Sequence, residues 1–204
     1  VICEKPIVLN PWNLDALEQL EKETGKKVYS ILQLRLHPEI KKLKEKIEKG
    51  PKDKIYNIDL NYITTRGPWY FVSWKGDLQK SGGIATNIGV HFFDMLLWIF
   101  GPLKSFKVTL FDDKKMRGTL ELEKANVNWF LSLDLNDLPK EVLAKGTKTY
   151  RSLKIDNEEF EFSEGFTDLH TESYKQILAG KGFGIKEVRP AIDLVSKLRV
   201  AKIE

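Results

Sequence analysis

The chain has 204 residues, 42% of them hydrophobic and 30% charged, with a formal net charge of +4. It has the length of one large domain or two small ones, is too apolar for a disordered chain, and with 14 glycines and 8 prolines is not fibrous. The single cysteine, Cys3, excludes a disulfide framework within the chain and a cysteine-cluster metal site, and the lysines of 41–54 alternate with Glu and Asp, which reads as a solvated helix face and a turn rather than a nucleic-acid surface.

Val1-Ile2-Cys3 is apolar from the first residue and carries no initiating methionine, so it reads as the closing strand of a unit that begins upstream. Asn10 then caps a helix, with Pro11 at its first position, Leu14, Leu17 and Leu20 on its apolar face, and Gly25 as its stop. A strand is predicted over 27–34 and a helix from His37-Pro38 to Gly50-Pro51. Over 56–65 the pattern is that of a half-buried antiparallel strand, with Tyr56, Ile58, Leu60 and Tyr62 facing one way and Asn57, Asp59 and Asn61 the other. Residues 66–82 read as a loop dense in aromatics, and 84–100 as a helix stopped by Gly101-Pro102. That apolar stretch is interrupted by Asn87, His91 and Asp94, which argues against a membrane span, and no basic-then-apolar leader opens the chain. Strands follow over 105–111, 118–122, 126–135, 147–155 and 159–162, then helices near 168–179 and 187–203. Between those helices, the glycines of 180–184 lack the preceding strand and the spacing of a dinucleotide loop, and read as a helix-ending turn. Early helices, a run of strands and closing helices predict an α+β fold with an open, mostly antiparallel sheet and flanking helices.

Three segments carry candidate chemistry. In Cys3-Glu4-Lys5-Pro6, a lysine sits at the end of a buried strand, where sheets of the doubly wound kind place ligands; desolvated there it can exchange a proton with a substrate hydroxyl, though the same residues suit a surface strand end. On the helix of 84–100, Asn87, His91 and Asp94 are spaced to share one face. Three polar groups on an apolar helix need partners, and they fit either a histidine base with polar neighbours or a satisfied core histidine. A metal would need a further ligand, and only His37 and His170 remain as histidines, so no metal is expected. In the aromatic loop, Arg66, Trp69, Tyr70, Phe71, Trp74 and Lys75 combine rings that stack on bases or sugars with cations that meet phosphate or carboxylate; such residues equally make a packing cluster or a subunit interface.

Glu4-Lys5-Pro6 after an apolar strand, together with Gly89-x-His91-x-x-Asp94 on a helix, resembles the family of glucose–fructose oxidoreductase, inositol dehydrogenase and rhizopine catabolism proteins (Gfo/Idh/MocA). The resemblance implies residues 1–25 as the end of an N-terminal dinucleotide-binding Rossmann domain, and 26–204 as the substrate-binding and oligomerisation domain. The segments TTRGPWYFVSWKGD, SGGIATNIGVHFFDMLLWIFG and YKQILAGKGFGIKEVRPAIDLV are similar to one branch, the UDP-N-acetylglucosaminuronate 3-dehydrogenases of bacterial O-antigen (lipopolysaccharide) synthesis. That branch implies NAD-dependent oxidation at C3 of UDP-N-acetyl-D-glucosaminuronic acid in the cytoplasm, with 2-oxoglutarate able to reoxidise the cofactor and an aminotransferase acting next. By the same resemblance Lys5 and His91 are catalytic, Glu4, Lys5 and Pro6 lie at the cofactor, and Gln33, Arg35, Arg66, Tyr70, Ser73, Lys75, Thr86, Asn87 and Asp94 bind substrate. Much of the family has Asp where this chain has Asn87; an amide orients a hydroxyl but cannot act as a base, which leaves proton transfer to His91 and Lys5. The chain alone is expected to be inactive, since the cofactor-binding domain lies elsewhere. A homo-oligomer is expected, with neither membrane nor nucleic acid as partner. A non-catalytic sugar-nucleotide-binding or assembly module of the same fold is the alternative.

Overall fold

A computed structural model describes residues 1–162 and 167–204. The chain opens with a short strand, β1 (Ile2–Cys3), and a helix, α1 (Pro11–Thr24). Asn10 precedes α1, but its side chain makes no cap; its carboxamide oxygen accepts instead from Arg199, near the far end of the chain. Strand β2 (Tyr29–Ser30) pairs parallel with β1. The strand predicted over 27–34 ends there, because Ile31, Leu32 and Leu34 are all buried, and the chain turns into a 3-10 segment, Gln33–Leu36, that sends Arg35 inward. Next comes α2 (Pro38–Lys49), whose apolar stripe Ile40, Leu43 and Ile47 is buried and whose start is capped by His37 Nδ1, accepting from the Glu39 N–H at 3.2 Å.

Strand β3 (Tyr56–Thr64) enters the main sheet and leads into two short helices, α3 (Pro68–Val72) and α4 (Leu78–Ser81), where an irregular loop was expected. The helix predicted over 84–100 is two pieces: a wider π-wound turn, Ala85–Gly89, and α5 (Val90–Phe100). The stretch Leu78–Phe100 is long and apolar enough to cross a membrane by length and composition, yet 78% of its most apolar window is buried inside the fold. Strands β4 (Leu103–Phe111), β5 (Lys115–Leu122) and β6 (Ala125–Ser132) follow, then a short helix α6 (Lys140–Ala144) absent from the sequence reading, strand β7 (Thr149–Ile155) and a two-residue β8 (Glu158–Glu159). Helices α7 (Leu169–Leu178) and α8 (Ile185–Arg199) close the chain.

The main sheet runs β4-β5-β6-β3-β7-β8. Every neighbouring pair is antiparallel except β3 with β6, which are parallel. A parallel pair needs a crossover, and the long connection between those strands carries α5 onto one face of the sheet. There the alternation of Ile58 and Leu60 in β3 and of Val127, Trp129 and Leu131 in β6 meets Phe93, Leu96 and Phe100 of α5. Phe93 stands edge-on to Trp129, 5.3 Å between ring centroids. The other face carries polar residues: Asn57 and Asp59 of β3, Asn126 and Asn128 of β6, and Arg117 of β5. A second, smaller core packs Leu14 of α1 against Ile185, Val188 and Ile192 of α8, so α8 serves two layers.

Candidate active site

Lys5 leaves the end of β1 and its ammonium donates to the carbonyl of Asn87 at 2.8 Å. That carbonyl lies in the π-wound turn, where backbone hydrogen bonds shift from the fourth to the fifth residue and a carbonyl becomes available to an outside donor. Burial, aided by the nearby charges of Arg66 and Lys75 and opposed by Glu4, pulls the Lys5 ammonium down from 10.5 to about 8. His91, on the first turn of α5, is held well below its ordinary range by burial first, then by the charges of Lys5, Arg151 and His170. Lys5 and His91 line one cavity of about 10 Å³, with Pro6, Leu32, Leu34, Val90, Asp94 and Val188 completing its walls. Such a space holds about one water; it is the floor of a site rather than a whole ligand pocket. Across the sequence the two nitrogens come from segments far apart, and the fold brings them to a shared enclosure.

The Asn87 carboxamide donates to the Tyr70 hydroxyl at 2.7 Å and, at 3.5 Å, to the carbonyl of Lys75. This ties α3 and the turn after it to the helix bearing His91. Burial pushes the Tyr70 phenol up, so it stays protonated and keeps a proton to donate onward. Beside it Trp69 and Trp74 are 54% and 59% exposed, and the Lys75 ammonium lies 5.6 and 5.8 Å from their ring centroids. Arg66 is exposed at the same rim. Ser73 turns back on its own segment, donating to the Tyr70 carbonyl at 2.9 Å and accepting from the Lys75 N–H at 3.2 Å. Thr86 is fully buried, its hydroxyl without a hydrogen-bond partner among the described residues, and Gln33 is half-buried on the 3-10 segment.

Two expected substrate contacts are placed differently. Arg35 and Asp94 bind each other in the interior, Nε to Oδ2 at 2.9 Å and Nη2 to Oδ1 at 2.7 Å. The sequence showed a cation and a carboxylate 59 residues apart, with no local pattern to join them. Glu4, expected at the cofactor, faces α7 and meets His170 Nε2 at 3.1 Å. His170 and Arg151 are the site residues that sequence reasoning missed. Arg151, on β7, stacks near Tyr62, Phe92 and Phe162 at 5.8, 5.8 and 5.5 Å, which puts its charge beside His91. Neither carries a motif, and only the packing of β7 and α7 against α5 and β1 reveals them. Among the described residues no group of three or more His, Cys, Asp or Glu side chains converges as a metal site would.

Comparison with known proteins decides the family. Residues 44–134 match the oxidoreductase family, C-terminal alpha/beta domain, of the Gfo/Idh/MocA group. The WlbA (WbpB) dehydrogenase of Thermus thermophilus, solved in complex with NAD and alpha-ketoglutarate, is 47% identical over 100% of this chain and 65% of its own, with a TM-score of 0.95. Residues 44–134 thus carry the C-terminal alpha/beta domain of the Gfo/Idh/MocA oxidoreductases. The same Thermus dehydrogenase in complex with NAD and UDP-GlcNAcA is 46% identical, with a TM-score of 0.94. YteT of Bacillus subtilis is 34% identical over 103 residues, 50% of this chain and 24% of that protein. The chain spans 65% of the length of the Thermus structures. Its open, mixed, mostly antiparallel sheet with flanking helices is the C-terminal domain of that family.

Proposed function

We propose that this chain is the substrate-binding part of an NAD-dependent dehydrogenase that oxidises the C3 hydroxyl of UDP-GlcNAcA (UDP-N-acetyl-D-glucosaminuronic acid) to a ketone, in lipopolysaccharide O-antigen synthesis in the cytoplasm. The observation that carries the reading is the cavity shared by Lys5 and His91, in a fold whose Thermus relative was solved with NAD and UDP-GlcNAcA. Residues 1–25 are read as the end of a dinucleotide-binding domain and 26–204 as the substrate and oligomerisation domain. Glu4, Lys5 and Pro6, at the end of a parallel strand, suit the reactive end of a dinucleotide. The glycine turn over 180–184 joins α7 to α8 and offers no pyrophosphate cradle, so the rest of the cofactor's hold lies outside this chain. NAD, when bound, supplies the hydride acceptor.

His91, neutral near pH 7 because burial and neighbouring cations disfavour its charged form, takes the proton of the C3 hydroxyl. Lys5, held at the Asn87 carbonyl, donates a hydrogen bond to the C3 oxygen as charge builds there. Asn87 and Tyr70 orient the sugar, and Arg66 and Lys75 at the rim meet the anionic diphosphate and carboxylate, with Ser73 and Gln33 as further contacts. The alpha-ketoglutarate in the Thermus relative supports 2-oxoglutarate as the means of cofactor reoxidation, and a ketone at C3 suits a following aminotransferase. A homo-oligomer built on the open sheet face completes the reading. In the full-length protein, His91→Asn and Lys5→Ala are expected to leave UDP-GlcNAcA affinity largely intact and lower kcat by about 10²–10⁴-fold. Near-wild-type turnover by both variants rejects the assignment, and NAD-dependent activity from these 204 residues alone rejects the reading that the cofactor's hold lies elsewhere.

A further inference from the structure

We propose that Arg35 and Asp94 are a positioning pair that fixes the angle of α5, and with it His91, against the wall bearing Lys5; this rests on the catalytic reading above. Arg35 stands on the 3-10 segment and binds three partners on two helices: both oxygens of Asp94 on α5, at 2.9 and 2.7 Å, and the backbone carbonyl of Glu187 on α8, at 2.9 Å. Its guanidinium also lies 5.6 Å from the Trp98 ring centroid and 5.2 Å from that of Phe183. The two side chains are 7% and 3% exposed, and their charged atoms are engaged with each other and with the Glu187 carbonyl. Leu32 and Leu34, just before Arg35 in the chain, line the same cavity as His91 and Asp94, so the pair ties that segment to α5 one helical turn from the imidazole.

A buried ion pair contributes little net stability, because desolvation offsets the attraction; a hydrophobic pair of similar volume commonly does as well. What it supplies instead is geometry. A bidentate Arg–carboxylate contact is planar and directional, and it tolerates little rotation. Side chains extend about 5–6 Å from a helix axis, so a 10° roll of α5 displaces the imidazole by about 1 Å. A displacement of that size costs up to about 10²-fold in rate.

The test uses the full-length protein carrying Arg35→Lys and, separately, the double variant Arg35→Met/Asp94→Leu, in which both charges leave together. Positioning predicts that both variants fold, with KM for UDP-GlcNAcA within about threefold of wild type and kcat about 10–100-fold lower. A raised KM at unchanged kcat overturns the proposal in favour of direct substrate contact. A changed Tm with kcat and KM both unchanged overturns it in favour of a purely structural pair. If the double variant does not fold, Arg35→Lys, which keeps the charge and loses the fork, decides alone. Side-chain NMR of His91 gives a readout independent of turnover: Arg35→Lys should shift or broaden the imidazole resonances, and unchanged resonances overturn the proposal. Wild-type protein inactive on UDP-GlcNAcA rejects the substrate reading, and the NMR arm then still judges the pair.

Discussion

Burial disfavours the charged form of both Lys5 and His91, which share one small cavity, and the Lys5 charge makes it harder still for His91 to hold a proton. The proposed reaction uses His91 without its proton and Lys5 with its own. As pH rises, His91 becomes competent at a pH below its ordinary 6.5, and Lys5 ceases to donate as pH passes about 8. The expected kcat/KM profile is therefore a bell with an acid limb below 6.5 and an alkaline limb near 8. Lys5→Arg, whose guanidinium stays charged, should remove the alkaline limb; wild-type activity still climbing at about pH 9.5 would refute Lys5 as the donor. Lys5 and His91 were legible in the sequence, because a strand-end lysine next to proline and a histidine on an apolar helix are local patterns. Arg35 and Asp94 were legible as charges but not as each other's partners, since nothing local tells a cation that reaches into the core from one that reaches outward. His170 and Arg151 lay outside any motif.

The π-wound turn at the head of α5 is where element geometry meets chemistry. Periodicity alone predicts an unbroken helix over 84–100, with Asn87, His91 and Asp94 in one row. In the fold the row opens: Asn87 turns its amide to Tyr70 and its carbonyl to Lys5, while Asp94 turns to Arg35. Gly89 permits this by letting the turn lie directly on the sheet; a Cβ there would stand 2.7 Å from both Leu131 Cδ1 of β6 and Phe93 Cε2 of α5. Gly89→Ala is expected to destabilise the protein by about 1–3 kcal/mol through overpacking. It should also lower kcat, as the turn backs away and the Asn87 carbonyl leaves Lys5. Urea unfolding read against turnover checks both, and an unchanged midpoint would show that the contact has slack. The aromatic stretch after β3 was expected as a loop and is instead two short helices, for a related reason. Tyr70 is buried and bonded to Asn87, so tertiary contact winds a segment whose local sequence is dominated by turn-forming and aromatic residues.

At the scale of the molecule, the sheet has one face closed by α5 and α8 and one face left polar. Along that polar face, Asn128 donates to Asp59 at 2.9 Å and Arg117 lies 4.8 Å from the Phe130 ring centroid. These residues border a depression of about 210 Å³. The proposed homo-oligomer would use this surface. Sedimentation of the full-length protein should give a dimer or larger species, and the double variant Arg117→Glu/Phe130→Glu should shift it to monomer by placing like charges across the two-fold contact. A wild-type monomer, or an assembly indifferent to both substitutions, would move the interface elsewhere. The α+β class, the polar and apolar faces of β3 and β6 and the ends of most helices were readable, because side-chain period and capping residues act within a few positions. The parallel pairing of β3 with β6 was not, since strand direction depends on a long crossover.

By itself the sequence determined what short-range physics controls: where the long strands and helices of the sheet layer run, which face of each is apolar, and which lysine and histidine stand out from their neighbours along the chain. Tertiary structure alone decided which of these meet. Lys5 reaches a carbonyl 82 residues away, and Arg35 a carboxylate 59 residues away. The reason is that burial and long-range pairing set both the partners and the protonation of a polar group, and neither is a property of its neighbours along the chain.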